Sequence, residues 1–327
     1  MVKFLLFSTI DNTRELRDAV CELKAEHGDI LSLRKIFLND LEKEKISLEE
    51  IEEELQTSQI VLVDIRGQSG MSDFLQELLP QSQATIVVLI GGSSQIFTLT
   101  RMGAFKGSDI FKGDRQMDVD SFIKTKKFSE LTKKIGSVLP FGKLKDMRNW
   151  IIAQEYYANY GKENIKGLLL FLAKEYGGVR IKNVPPPRKT LDFGIWWPDK
   201  GFFSELAGLQ KEIKWDKTKP TIGVFIYSDM HLEDCAPAVR EFIAQIRDRA
   251  NIIPVFSKVE YNLEAISKYF FSGDTPAIDL MVNMQYFRLH GGPYGGTPEP
   301  TYDLLQKLNI PVIIGFHLYS TEIGEWR

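Results

Sequence analysis

The 327-residue chain is 43% hydrophobic and 26% charged, with 41 Lys and Arg against 44 Asp and Glu, for a formal charge of −3 and a pI near 5.9. That balance gives no overall drive toward nucleic acid or an acidic membrane surface, and no run approaches the ~20 apolar residues that span a bilayer. The length favours two domains over one, and two distant cysteines, Cys21 and Cys235, exclude a CxxC metal knuckle or redox pair and fit a cytoplasmic protein.

The chain opens on a short apolar run that meets Asp11 and Arg14 within a few residues, which reads as a first strand rather than a signal peptide. Over residues 1–111, apolar runs at Val2–Phe7, Ile30–Leu38, Ile60–Val63 and Thr85–Ile90 alternate with helical patterns, and this predicts βαβ units in a parallel sheet. Leu16, Val20 and Leu23 recur at helical spacing behind Asn12-Thr13, whose oxygens suit an N-cap. The strand ends carry Thr9 and Asp11, then Asp64, Arg66 and Gly67, then Gly91-Gly92-Ser93, on the edge where such sheets bind ligands. Neither G-x-G-x-x-G after the first strand nor G-x-x-x-x-G-K-[ST] anywhere is present, so there is no dinucleotide fingerprint and no P-loop.

Residues 112–215 read as a helical and proline-rich connecting region. Lys124, Lys126, Lys127, Lys133, Lys134, Lys143 and Lys145 interleave with Phe128, Leu131 and Ile135, the pattern of solvated basic helix faces and not of a nucleic-acid platform. Helical periodicity runs through Ile151–Ala158 and Ile165–Tyr176 and stops at Gly177-Gly178. Asn183-Val-Pro-Pro-Pro187 is excluded from a helix and predicts extended polyproline geometry, leading to Trp196-Trp197, which read as packing aromatics.

Residues 216–327 repeat the alternation: Thr221–Tyr227, Asn251–Phe256, Ala277–Val282 and Pro311–Phe316 predict strands, with helices at Ala238–Arg249, Leu263–Phe270 and Pro300–Leu308. The expected fold is therefore α/β, two doubly wound parallel-sheet units bridged by a helical segment. Candidate groups gather on the carboxyl edge of the second unit: Ser228, Asp229 and His231 after its first strand, Asn283 and His290 after its third, and His317 after its fourth. The imidazoles offer acid–base or ligand chemistry, but no HxxxH or HExxH spacing raises them above ordinary loop histidines. Gly291, Gly292, Gly295 and Gly296 form a glycine-dense loop whose bare backbone can approach a large planar or anionic ligand and donate N–H bonds to it, with a purely structural loop as the equal alternative.

Tyr160–Gly178, Gly194-Ile-Trp-Trp-Pro-Asp199, Pro220–Tyr227, His290–Gly296 and Leu308-Asn-Ile-Pro-Val312 follow one another in an order and spacing that resemble the cobaltochelatase large subunit (CobN type) and the magnesium chelatase H subunit, over about half the chain. Trp197 stands where the family pattern has histidine, and Ser228-Asp229-Met230 where many relatives have Arg-Ser-His. The resemblance implies an N-terminal portion of a subunit, lacking the family's long C-terminal body, that binds a corrin or porphyrin for ATP-dependent insertion of Co2+ or Mg2+ in cobalamin or related tetrapyrrole biosynthesis. It also implies separate AAA+ ATPase and integrin-like partner subunits, a nitrogen–metal bond-forming ligase activity that this chain does not perform alone, and no cofactor of the chain's own. Ser228, Asp229, His231, Asn283, His290, Gly291, Gly292, Gly295, Gly296 and His317 are then the tetrapyrrole-contacting candidates. Two other readings stay open: a non-catalytic tetrapyrrole-binding or scaffolding paralogue, and a periplasmic-binding-like module for a small ligand.

Overall fold

The strand Val2–Ser8 (β1) is buried at six of its seven positions, the mark of a parallel strand covered on both faces. The computed structural model describes residues 1–9, 13–43, 45–65, 71–91, 93–111, 142–159, 161–227, 232–285, 288–290 and 297–315, and divides the chain into two compact units, Met1–Thr190 and Leu191–Arg327. The lysine-rich stretch 124–134 lies outside the described residues.

In the first unit β1 is followed by α1 (Thr13–His27), β2 (Leu31–Phe37), α2 (Leu38–Glu42), α3 (Leu48–Thr57), β3 (Ile60–Asp64), α4 (Met71–Leu78), β4 (Thr85–Ile90), α5 (Ser94–Thr98), β5 (Arg101–Met102) and β6 (Phe105–Lys106). The sheet order is β2-β1-β3-β4-β5-β6, with β1 to β4 parallel and a short antiparallel hairpin, β5–β6, at one edge. Ser47 caps α3, its hydroxyl accepting from the Glu50 N–H at 3.2 Å, which satisfies one of the donors a helix start leaves open.

Two long helices complete this unit, α6 (Gly142–Ala158) and α7 (Lys162–Glu175). The sequence pattern places them in a connecting region; in the structure they are part of the first unit. On α6, the Trp150 Nε1 and Gln154 Nε2 both donate to the Val88 carbonyl, at 3.3 and 2.6 Å, and so satisfy a β4 acceptor beside the two-residue strand β5. Phe97 and Phe111 pack edge-on against the Trp150 ring. Asp146 accepts from the Ala104 N–H at 2.8 Å and the Tyr176 hydroxyl at 2.9 Å, joining the β5–β6 turn to both helices. Helix α7 meets α1 through Lys166, whose side chain is only 11% exposed and reaches Glu26 at 2.6 Å and Glu22 at 3.1 Å. Burial alone lowers the Lys166 ammonium; the hydrogen bonds it donates to Glu26 and Glu22 outweigh that and leave the group above its ordinary value.

The second unit begins with a hairpin, β7 (Phe193–Trp197) and β8 (Gly201–Phe203), whose turn holds Asp199 and Gly201 at φ 76° and 87°. It continues as α8 (Leu206–Glu212), β9 (Thr221–Tyr227), α9 (Leu232–Ile246), β10 (Asn251–Ser257), α10 (Asn262–Tyr269), the small pair β11 (Phe271–Ser272) and β12 (Thr275–Pro276), β13 (Leu280–Asn283), α11 (Glu299–Leu308) and β14 (Val312–Ile314). The order is β14-β13-β9-β10-β7-β8, parallel from β14 to β10, with β7 and β8 antiparallel. Counting only the parallel strands, each sheet has the order 2-1-3-4. Both expected α/β units are present, and each sheet is mixed where only parallel strands were expected, because a hairpin is added at one edge. Two apolar clusters fill the second unit, one around Phe225, Phe270 and Met281, the other around Val224, Ile226 and Ile252. Gly223 on β9 lets the Phe270 ring approach, since a Cβ there would lie 2.7 Å from it.

Close approach also governs the α6–α7 contact. A Cβ on Gly167 of α7 would stand 2.5 Å from Cε1 of buried Tyr156. Gly167→Ala gains about 1 kcal/mol of helix propensity but forces that ring aside, so the expected net effect is a loss of about 1–2 kcal/mol. A urea titration of the purified chain checks this; an unchanged or raised midpoint would show that the contact yields freely.

Candidate functional site

Sheets of order 2-1-3-4 send the connections after their first and third strands in opposite directions, and the crevice this opens beyond the carboxyl ends is where doubly wound folds bind ligands. In the second unit that position lies between β9 and β13, where Asn283 pairs with Phe225. Four polar side chains there are almost wholly buried: Ser257, which ends β10, Asn262, which starts α10, Asn283, which ends β13, and Gln285 just after it.

Burying so many polar atoms is tolerable only if they satisfy one another. Asn262 and Gln285 do so reciprocally: Asn262 Nδ2 donates to Gln285 Oε1 at 2.8 Å, and Gln285 Nε2 donates to Asn262 Oδ1 at 3.1 Å. The same Gln285 nitrogen reaches the Ile226 carbonyl at 3.4 Å, and the Gln285 backbone N–H donates to Asn283 Oδ1 at 3.0 Å. The Met284 N–H bonds the Phe225 carbonyl and the Gly315 N–H the Asn283 carbonyl, both at 2.8 Å. The ends of β9, β13 and β14 and the start of α10 are thereby tied together.

Of the ten tetrapyrrole-contacting candidates, Asn283 and His290 are described. Asn283 has its side-chain oxygen engaged by the Gln285 N–H, which makes it a support at the floor of the edge. His290 follows Leu289, which is buried in the core, and its Nδ1 lies 3.1 Å from the Thr297 carbonyl. A carbonyl only accepts, so Nδ1 is the donor, and the neutral tautomer compatible with this bond has its lone pair on Nε2. This bond also brings the two ends of the 290–297 segment together. Ser228, Asp229, His231, Gly291, Gly292, Gly295, Gly296 and His317 lie outside the described residues. The flanking strands β9, β13 and β14 are neighbours and run parallel, so the chain leaves all three at the same edge.

Asn262 and Gln285 were not among the sequence candidates. Their only signal is a carboxamide set in an otherwise apolar neighbourhood, Tyr261-Asn-Leu263 and Met281-Val-Asn-Met-Gln285.

The corresponding edge of the first unit pairs Ser8 of β1 with Asp64 of β3, both fully buried. The Tyr157 hydroxyl, from α6, donates to Asp64 Oδ2 at 2.5 Å, and the Thr9 N–H donates to the Asp64 carbonyl at 3.1 Å. Among the described residues, no group of three or more His, Cys, Asp or Glu side chains is placed to hold a metal ion, and no helix is long and apolar enough to cross a membrane.

Comparison with known proteins gives these sites a context. Residues 5–151 match a Domain of unknown function (DUF3479), and residues 154–327 match the family CobN/Magnesium Chelatase. An uncharacterized protein of Methanocaldococcus jannaschii is 27% identical over 192 residues, 56% of this chain and 15% of that protein. The magnesium-chelatase H subunit of Chlorobaculum parvum is 22% identical over 280 residues, 78% of this chain and 22% of the relative. Among solved structures, the catalytic subunit of cobaltochelatase from Mycobacterium tuberculosis aligns with 96% of this chain and 21% of its own, at a TM-score of 0.43 and 18% identity. The chain thus spans less than a quarter of the length of these relatives. With more than half of its residues, the whole second unit included, matched by one family, the chain belongs to the CobN/magnesium chelatase family.

Proposed function

We propose that the carboxyl edge of the second unit forms part of a tetrapyrrole-binding surface in a chelatase that inserts Co2+ or Mg2+ into a corrin or porphyrin. The observation that carries this reading is the family match over residues 154–327, which takes in the edge built on Asn262, Asn283 and Gln285. The chemistry required is a divalent cation replacing the protons of pyrrole nitrogens. It needs a flat cleft for the macrocycle and a group that accepts protons.

Gly291, Gly292, Gly295 and Gly296 supply backbone that can approach a flat ring, and Ser228, Asp229, His231 and His317 are the polar groups on neighbouring strand ends. His290 is the candidate proton acceptor, because its bond to Thr297 leaves the Nε2 lone pair available. Asn283 acts from below, through Gln285. With no P-loop in the chain, ATP hydrolysis falls to AAA+ and integrin-like partner subunits, and the metal ion is substrate. The activity would be that of a nitrogen–metal bond-forming ligase, exercised by the assembled enzyme.

Fluorescence quenching titrated with a porphyrin and a corrin tests the reading. Gly292→Val and Gly295→Val are expected to weaken binding about tenfold or more, whereas His27→Ala, on α1 of the first unit, leaves it unchanged. Absence of binding by the parent chain, or undiminished binding by folded glycine variants, would remove the loop from the site. Without partners the chain should hydrolyse no ATP and leave metal insertion at the uncatalysed rate, followed by absorbance.

A stability measurement examines the floor separately. Gln285→Leu leaves the Asn262 amide buried and unpaired and should cost about 1–3 kcal/mol. Adding Asn262→Leu should cost less than the two single changes summed, and strict additivity would argue against the reciprocal pair.

A further inference from the structure

A second cleft, with a volume of about 420 Å3, lies in the first unit. Three elements wall it. Helix α6 presents Arg148, Ile152 and Tyr156 at four-residue spacing on one face, α7 presents Phe171 and Lys174, and the extended segment after α7 closes the third side with Pro186 and Pro187.

The proline wall is fixed in place. The Tyr156 hydroxyl donates to the Pro185 carbonyl, and Asn164 pairs with both backbone groups of Arg188, accepting from its N–H at 2.8 Å and donating to its carbonyl at 2.9 Å. Thr190 N–H donates to Asn159 Oδ1 at 3.1 Å. Burial pushes the Tyr156 phenol up to about 12, so it remains a neutral donor to that carbonyl across the physiological range. A cleft already formed in this way spends little ordering entropy on a ligand.

Its chemistry is two-sided. The Tyr156 and Phe171 rings, 5.9 Å apart at 44°, offer an aromatic floor, and the prolines and Ile152 add apolar walls. Arg148 and Lys174 are the two cations lining it, and neither side chain has an ion-pair or hydrogen-bond partner among the described residues. Two carboxylates, Glu155 and Glu175, also line the cleft, and Glu175 is paired with Lys145 at 2.8 Å. Arg180, Lys182 and Lys189 on the adjoining segment add to the positive sign, while Arg188 is paired with Glu163 at 3.9 Å. We propose that this cleft binds a small amphipathic anion with a flat apolar body, an aromatic carboxylate being the simplest member of the class: the body packs on Tyr156 and Phe171 and the carboxylate is held by Arg148 and Lys174.

The test uses 2-naphthoate and its uncharged counterpart 2-naphthamide, titrated calorimetrically into the full chain. Naphthoate is expected to bind with a Kd of about 1 mM or tighter and at least about fivefold more strongly than the amide. The Arg148→Gln/Lys174→Gln double variant, changed only at side chains without partners among the described residues, should fold normally and lose that preference. Phe171→Leu should weaken both probes, its folding checked by thermal melt. No naphthoate binding, equal binding of acid and amide, or an unchanged preference in the double variant would each overturn the proposal. Binding of a porphyrin or corrin at the second unit does not enter any of these outcomes, so the two assignments stand or fall separately.

Discussion

The reversal of connection direction between the first and third parallel strands is the constraint on which both units turn. Once the chain steps from β1 outward to β2 and then returns across β1 to β3, the strand ends on either side of that return are left without a covering connection directly above them. Backbone and side-chain polar groups there must find partners inside the protein. The first unit meets this with Ser8 and Asp64, the latter bonded to Tyr157 from α6; the second meets it with Asn283, Gln285 and Asn262. In each case the third strand ends on a buried polar residue, Asp64 or Asn283, and a helix joins the network, through Tyr157 of α6 to Asp64 and through Asn262 of α10 to Gln285. The same arrangement therefore carries a carboxyl side chain in one unit and carboxamides in the other.

That difference bears on what each edge can do. Asp64 is an acceptor fixed by a phenol, in an environment built of helix α6 as much as of the sheet. The carboxamide floor of the second unit is electrically neutral, and its donors and acceptors are largely spent on one another, so it works as a rigid shelf. Under the proposed reading the reactive groups come from the segments that follow the strands, and of those candidates His290, bonded to Thr297 and next in sequence to the buried Leu289, is described.

Much of this fold was readable from the order of residues, for a physical reason. Strands buried on both faces, such as Ile60–Asp64 and Asn251–Ser257, must be continuous apolar runs, and such runs stand out between amphipathic helices. What was not readable depends on partners distant in the chain. The hairpin Phe193–Phe203 follows a proline-rich segment and contains Pro198, which masks a strand pattern that pairing with β10 makes real. Helix α9 begins at Leu232 and takes in Pro237, whereas the sequence pattern starts it at Ala238. Helices α6 and α7 read as a connection because their apolar stripe does not say what it packs on; Val88, Glu22 and Glu26 decide that. At the site, the glycine-rich segment and its histidine were visible as composition, while the Asn262–Gln285 pair, separated by 23 residues, had no local signature beyond polarity in an apolar setting.

The docking of Trp150 against β4 also makes the protein optically divisible. Residues 1–190 contain a single tryptophan, and it is this one, 5% exposed, with its indole N–H bound to the Val88 carbonyl. Trp196, Trp197, Trp215 and Trp326 all fall within residues 191–327, the second unit. Indole emission shifts to the red when a buried ring meets water. Light from Trp150 therefore reports whether α6 is seated on its sheet, and the others report on the second unit. Replacing Trp150 by Phe, or keeping it alone, would separate the melting of one unit from that of the other without any attached label.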